Sequence, residues 1–204
     1  MAMTISYQNT SPLEEQVKNR FKQANLSQEY TRAMMVRSHA LSLAAQYGLD
    51  KDQVSAAALL HNISRLIQPK DYLATAEEYG TEILPAERQN PYLLHQKISR
   101  ILAVEEFNIS DKEVLNAISC HTTLRPSATL LDKIIFIASK QNSEQFKNLN
   151  LQNNKKAPSE QELNKSIFNC LFNEINDKSI VSTVHPWAKG ALEELKTKLH
   201  MEAI

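Results

Sequence analysis

Apolar residues recur along this chain at three- and four-residue intervals, the period of helices that bury one face. Val17, Phe21 and Ala24 set that rhythm from Leu13 to about Asn25. A second line, Ala33, Val36, Ala40, Leu43 and Ala44, predicts a helix that Ser27 can cap and that runs to about Tyr47, with Gly48 as its stop. Asp50 with Gln53 reads as a capping box for a third helix, limited by Pro69. A short helix and connection follow over Asp71 to Gln89, punctuated by Gly80 and Pro85. Asn90-Pro91 opens a helix with the stripe Leu94, Ile98, Ile101 and Leu102. Ser110 and Glu113 open another through Val114, Leu115, Ala117 and Ile118 to Cys120-His121. Pro126 forces a break before an apolar helix from about Ala128 to Ser139. Ser159 with Glu162 caps a helix carrying Leu163, Ile167, Cys170, Leu171 and Phe172, and a last helix begins at Pro186 with Ala188, Leu192, Leu195 and Leu199. The expectation is an all-α bundle of about eight helices.

Two stretches break the pattern. Residues 1–12 are polar and read as a flexible N-terminus, and 141–158 is dominated by Asn, Gln and Lys, a linker or flap. The domain expected is therefore 13–204, with 159–204 supplying its C-terminal helices. Composition agrees with helices, since 3 glycines in 204 residues are too few for a turn-rich sheet protein. Lys plus Arg and Asp plus Glu are both 23, so no global field draws the chain to nucleic acid or an anionic membrane. Two cysteines, Cys120 and Cys170, form no disulfide framework or metal-finger spacing, and both sit in apolar helical runs. With no leader-like segment and no long apolar run, the reading is a cytoplasmic protein.

The chemistry gathers around Ala56-Ala57-Ala58-Leu59-Leu60-His61-Asn62-Ile63, a buried-type helical run ending in a histidine and a carboxamide. A histidine there needs a partner, because an unpaired buried polar group costs roughly 1–3 kcal/mol. His39, His95 and His121 are the other internal histidines up to that region's end, and most of the four close an apolar run. Any one alone reads as a satisfied core or surface histidine; the set asks for more.

A helix-borne His61-Asn62, isolated histidines on two later helices and then an apolar helix resemble the HD-domain metal phosphohydrolase superfamily. The local runs, Ala57-Ala58-Leu59-Leu60-His61-Asn62, Leu94-His95, the stretch Val114 to Ile137 with its His121-Thr122-Thr123, and the closing Val184-His185-Pro186, are similar to the YqeK family within it. That resemblance implies an HD-domain helical bundle and symmetrical hydrolysis of diadenosine tetraphosphate to two ADP at a metal centre. It also implies six ligand positions, and His61, His95 and His121 keep their metal-binding type. The family's first histidine falls on Arg32, the aspartate of its His-Asp pair on Asn62 and its late aspartate on Ser139. A bridging anion is needed to hold two cations ~3.5–4 Å apart. Asn62 offers a neutral carbonyl, Ser139 a hydroxyl, and Arg32 a permanent positive charge.

The resemblance places basic residues near substrate phosphates at Arg125 and Lys133, beside Thr122; Arg65 shares the His61 side of its helix. Each is a solvated surface cation in the plainer reading. Two functions therefore compete. One is a degenerate member that binds a nucleotide, another phosphate-containing small molecule or a partner, with no cofactor. The other is a working phosphohydrolase with an unusual metal set, at most one divalent Fe, Zn, Mn, Co or Ni on the three histidines. A pocket collapsed into plain structure is the third outcome. The chain leaves room for a homo-oligomer.

Overall fold

The computed structural model describes residues 13–140, 159–177 and 183–200. Among them all regular structure is helical, ten α-helices with three short 3-10 segments, against the eight expected. The helices are α1 Leu13–Gln23, α2 Ser27–Ala44, α3 Lys51–Leu60, α4 Tyr72–Glu78, α5 Pro85–Gln89, α6 His95–Glu105, α7 Lys112–Cys120, α8 Leu130–Lys140, α9 Glu160–Asn176 and α10 Pro186–Lys198. The 3-10 segments, Ile63–Leu66, Pro69–Asp71 and Pro91–Leu94, all lie between α3 and α6. The expected N-terminal tail 1–12 and the flap 141–158 lie outside the described residues.

Helix α8 is the axis. All eight residues from Leu131 to Ala138 are buried, so the helix is enclosed all round and not merely on one stripe. It packs on α2, α3 and α7, and α7 in turn packs on α6 and α3. Helices α9 and α10 pack on each other, and their Leu163, Ile167, Leu171, Ala191 and Leu195 belong to the same buried cluster as Leu60 and Ile134. At the α10 surface Gly190 allows close approach, since a Cβ there would lie 2.8 Å from Pro126 Cγ.

Several starts differ from the sequence expectation by the identity of the cap. Asp50 caps α3 through the N–H groups of Asp52 and Gln53, but Gln53 does not reach back; its amide donates to Asp111 at 2.8 Å. Asp111, not Ser110, caps α7. A carboxylate accepts these N–H bonds better than a hydroxyl at a positive helix end. Helix α2 has no side-chain cap, Ser27 being its first residue. The Ser159–Glu162 capping box forms as expected. Asn90-Pro91 opens a 3-10 segment, not the helix itself, and α6 begins only at His95.

Candidate functional site

Three helical segments end on a histidine. His61 is the C-cap of α3, His95 of the 3-10 segment Pro91–Leu94, and His121 of α7. Each ring turns back on its own segment, and its Nδ1–H donates to the carbonyl three residues earlier. The pairs are His61 to Ala58 (2.7 Å), His95 to Tyr92 (2.9 Å) and His121 to Ile118 (2.8 Å). A carbonyl only accepts, so this fixes the neutral tautomer and leaves every Nε2 a lone pair. The chain topology then brings the three together. Ring centroids lie 5.0 Å apart for His61 and His121 and 5.1 Å for His95 and His121, both edge to face.

Burial dictates the charge state. Desolvation holds His61 and His95 down at about 4, helped in both by the charge of Arg65. Desolvation also holds His121 well below the ordinary range, with its two neighbours and Lys140 adding to the effect.

Two of the three positions where the resemblance calls for other ligands, Asn62 and Ser139, stand at this cluster. Asn62 Nδ2 lies 3.1 Å from His61 Nε2. Because that nitrogen is an acceptor, the amide must present its NH₂ and not its oxygen. The Thr122 hydroxyl donates in the same way to His95 Nε2 at 2.9 Å. Ser139 Oγ sits 3.0 Å from the His121 carbonyl and 2.8 Å from that of Phe136, so it stands beside the cluster on backbone hydrogen bonds. Among the described residues no group of three or more His, Cys, Asp or Glu is placed to hold a metal ion.

The cations sort differently from the sequence expectation. Arg32 is directed elsewhere, its side chain 61% exposed and paired with Glu29 at 2.6 Å one turn back on α2. Arg125 is held by Asp132, with Nε and Nη2 at 2.9 and 2.8 Å from one carboxylate oxygen. That carboxylate also accepts the Thr129 N–H, while Thr129 Oγ1 accepts the N–H of Asp132, so Arg125 braces the start of α8. Lys133 is buried against α9, 3.2 Å from Glu160. Only Arg65 of the four lies where its charge acts on the histidines. A cation that the sequence reading missed, Lys140, joins it; it follows Ser139, acts on His95 and His121, and is paired with Glu174 at 2.5 Å.

Gln96 was also missed. Fully buried at the start of α6, it donates to Thr123 Oγ1 at 3.0 Å and accepts the Thr122 N–H at 3.3 Å, locking the loop that presents Thr122. In that loop Leu124 is buried with φ of +56°, a left-handed geometry costly for a side chain with a Cβ. His39 joins none of this; it lies seven residues beyond Arg32 and its Nδ1 is buried without a hydrogen-bond partner.

A helical bundle whose helix ends deliver three histidines to one point defines an HD-type protein, and the family model for the HD domain matches residues 30–141. The chain belongs to the HD domain family. It is 33% identical over 151 residues, 74% of its length and 76% of the other's, to an uncharacterized protein in the pepC 5′ region of Lactococcus lactis subsp. cremoris. It is 31% identical to a symmetrical bis(5′-nucleosyl)-tetraphosphatase of Bacillus subtilis, over 57% of this chain and 62% of that one. A tetraphosphatase of the same name from Halalkalibacterium halodurans is 32% identical over 53% and 58%. The match thus spans less than two thirds of either tetraphosphatase. Among solved structures, the Clostridium acetobutylicum protein described as a predicted HD superfamily hydrolase involved in NAD metabolism superposes with a TM-score of 0.77. It has 26% identity and covers 90% of this chain and 97% of its own.

Proposed function

We propose that this chain is an HD-family protein that binds a phosphate-bearing nucleotide and does not hydrolyse it, the two-metal chemistry of the family being replaced by fixed protein cations. The observation that carries the reading is the state of the Nε2 lone pairs. Those of His61 and His95 already accept from Asn62 and Thr122, where the family resemblance calls for an aspartate at the first of these. Two dications side by side require an anion between them, and Asn62 and Ser139 provide none. The groups present therefore do not fit a metal pair. A single divalent ion would have to displace the Asn62 and Thr122 hydrogen bonds and bind beside Arg65 and Lys140.

Those same cations favour an anion. Arg65 suits a phosphate through its planar fork, Lys140 through point charge, and Thr122 adds a hydroxyl donor when it turns from His95. A second reading, a working metal-dependent hydrolase that cleaves diadenosine tetraphosphate symmetrically, has one observation in its favour. Nδ1 of all three histidines is tied to backbone, the arrangement that orients imidazoles for a metal.

One set of measurements separates the two. Protein purified without chelator is analysed for metal, assayed with diadenosine tetraphosphate and added Fe²⁺, Mn²⁺ or Co²⁺, and titrated with ADP by calorimetry. The expected result is ADP binding, weakened about tenfold or more by Arg65→Ala or Lys140→Ala, with no turnover and at most a small fraction of one metal per chain. Turnover at ordinary enzyme rates, on the order of 1–10³ per second, overturns the proposal.

A further inference from the structure

A cavity of about 240 Å³ opens between α6, α7, α10 and the connection from α4 to α5, and no residue of the histidine cluster lines it. Its walls include Lys97 and Arg100 of α6, Glu82 of the connection and Trp187 of α10. Lys97 is buried, and its ammonium donates to Glu87 and to the Glu82 carbonyl, both at 2.8 Å, so one of its three N–H groups is left over. The Glu87 carboxylate balances that charge. Arg100 has no such partner. It is exposed and forms no ion pair among the described residues, whereas Arg20, Arg32, Arg37, Arg88 and Arg125 each hold a carboxylate. The cavity therefore joins one uncompensated guanidinium, a spare buried ammonium N–H and a half-buried indole.

We infer that this cavity is a binding site for a small organic carboxylate, its anion paired with Arg100 and its apolar part packed against Trp187. A guanidinium presents parallel N–H donors in the geometry that a carboxylate accepts, and the remaining Lys97 N–H adds a charged donor. The indole supplies apolar surface beside those polar groups, the mixture that small-molecule sites use. A doubly charged phosphate suits the cavity less well. Only Arg100 is uncompensated, and Glu82 stands at the same cavity, where its carboxylate opposes a second negative charge. A neutral molecule of the same shape leaves Arg100 unpaired. The site is independent of the anion-binding reading at the histidines.

The test titrates the full chain with benzoate at constant ionic strength, read by calorimetry and by the fluorescence of Trp187, the chain's single tryptophan. Benzamide, which has the same shape without the charge, and inorganic phosphate are titrated alongside. Benzoate should give a saturable change and bind about tenfold or more tightly than either. Arg100→Gln should weaken benzoate about tenfold, and Arg100→Lys, which keeps the charge but not the fork, should weaken it less. Circular dichroism checks that both variants fold, as the exposed position leads one to expect. No saturable change with benzoate in either readout overturns the proposal, and so does benzoate binding that survives Arg100→Gln. Phosphate that binds as tightly as benzoate and is lost with Arg100→Gln overturns the carboxylate as the ligand class.

Discussion

At the scale of single residues, the histidine cluster makes the protein acid-sensitive in a stated window. His61 and His95 are held at about 4 by burial, below the ordinary 6.5, and so remain neutral in the fold well after they would charge in the unfolded chain. A depressed folded value means that the unfolded state binds more protons as pH falls. Stability is then full above about pH 6.5 and declines as pH drops toward 4. Each of the two accounts for on the order of 3 kcal/mol at the bottom of that window, and His121 acts in the same direction. Urea midpoints should hold level from pH 7.5 to about 6.5 and fall from there to 4.5, and a His61→Gln variant should show a shallower fall. A flat profile would mean that the rings are solvated.

Residue chemistry also decides whether a two-metal set can be built at this cluster. Asn62→Asp and Ser139→Asp place carboxylates beside His61 and His121, and Arg32→His supplies the remaining imidazole. The triple variant should hold about two divalent ions where the parent holds at most a small fraction of one, read by metal analysis after dialysis. Since Arg32 is turned outward onto Glu29, Asn62→Asp with Ser139→Asp alone should already gain one ion. Equal metal content in parent and both variants, all folded, would mean that positions 62 and 139 no longer face a usable site.

At the scale of elements, α5, α6 and α10 are joined by a buried charge cluster that the sequence did not announce. Lys97 on α6 donates to Glu87 of α5 and to the Glu82 carbonyl, both at 2.8 Å, and its Nζ lies 5.2 Å from the Trp187 ring centroid. His185 accepts the Trp187 N–H on Nδ1, capping α10, and donates from Nε2 to Glu87 at 3.2 Å. Burial raises the Glu87 carboxyl, but hydrogen bonds from His185, Lys97 and the Leu84 N–H outweigh it and keep the group below its usual value. Removing one partner of a desolvated pair strands the other, so Lys97→Met should cost about 3–5 kcal/mol in denaturant unfolding. Lys97→Met with Glu87→Leu should cost clearly less than the single change. Additive losses would show that the two do not act as a pair.

These elements show what could and could not be read from the chain. Helix positions followed from apolar period and proline placement, because both act locally. The convergence of His61, His95 and His121 was legible only through the resemblance to the HD pattern, and the ring distances bear it out. Side-chain commitments were not, since Arg32, Arg125 and Lys133 each found a carboxylate, Glu29, Asp132 or Glu160, and only for the first two does that partner lie within seven residues. Lys97, Glu87 and His185 span nearly a hundred residues and carry no local signature.

At the scale of the whole molecule, α9 and α10 share the buried cluster with the histidine-bearing helices and are tied to it by Lys140–Glu174, Lys133–Glu160 and Glu87–His185. The chain should therefore unfold in one cooperative transition, with circular dichroism and the fluorescence of Trp187 on α10 reporting the same midpoint. Two separated midpoints would make 159–204 an independent unit. The histidine geometry carries a broader lesson about inheritance. Each ring earns its place by closing its own helical segment on a carbonyl three residues back, with or without an ion in front of it. Surviving histidines are thus poor witnesses to surviving catalysis in such a scaffold, because architecture alone retains them. A carboxylate at position 62 or 139 would have no such second employment, so on the proposed reading those are the positions free to change.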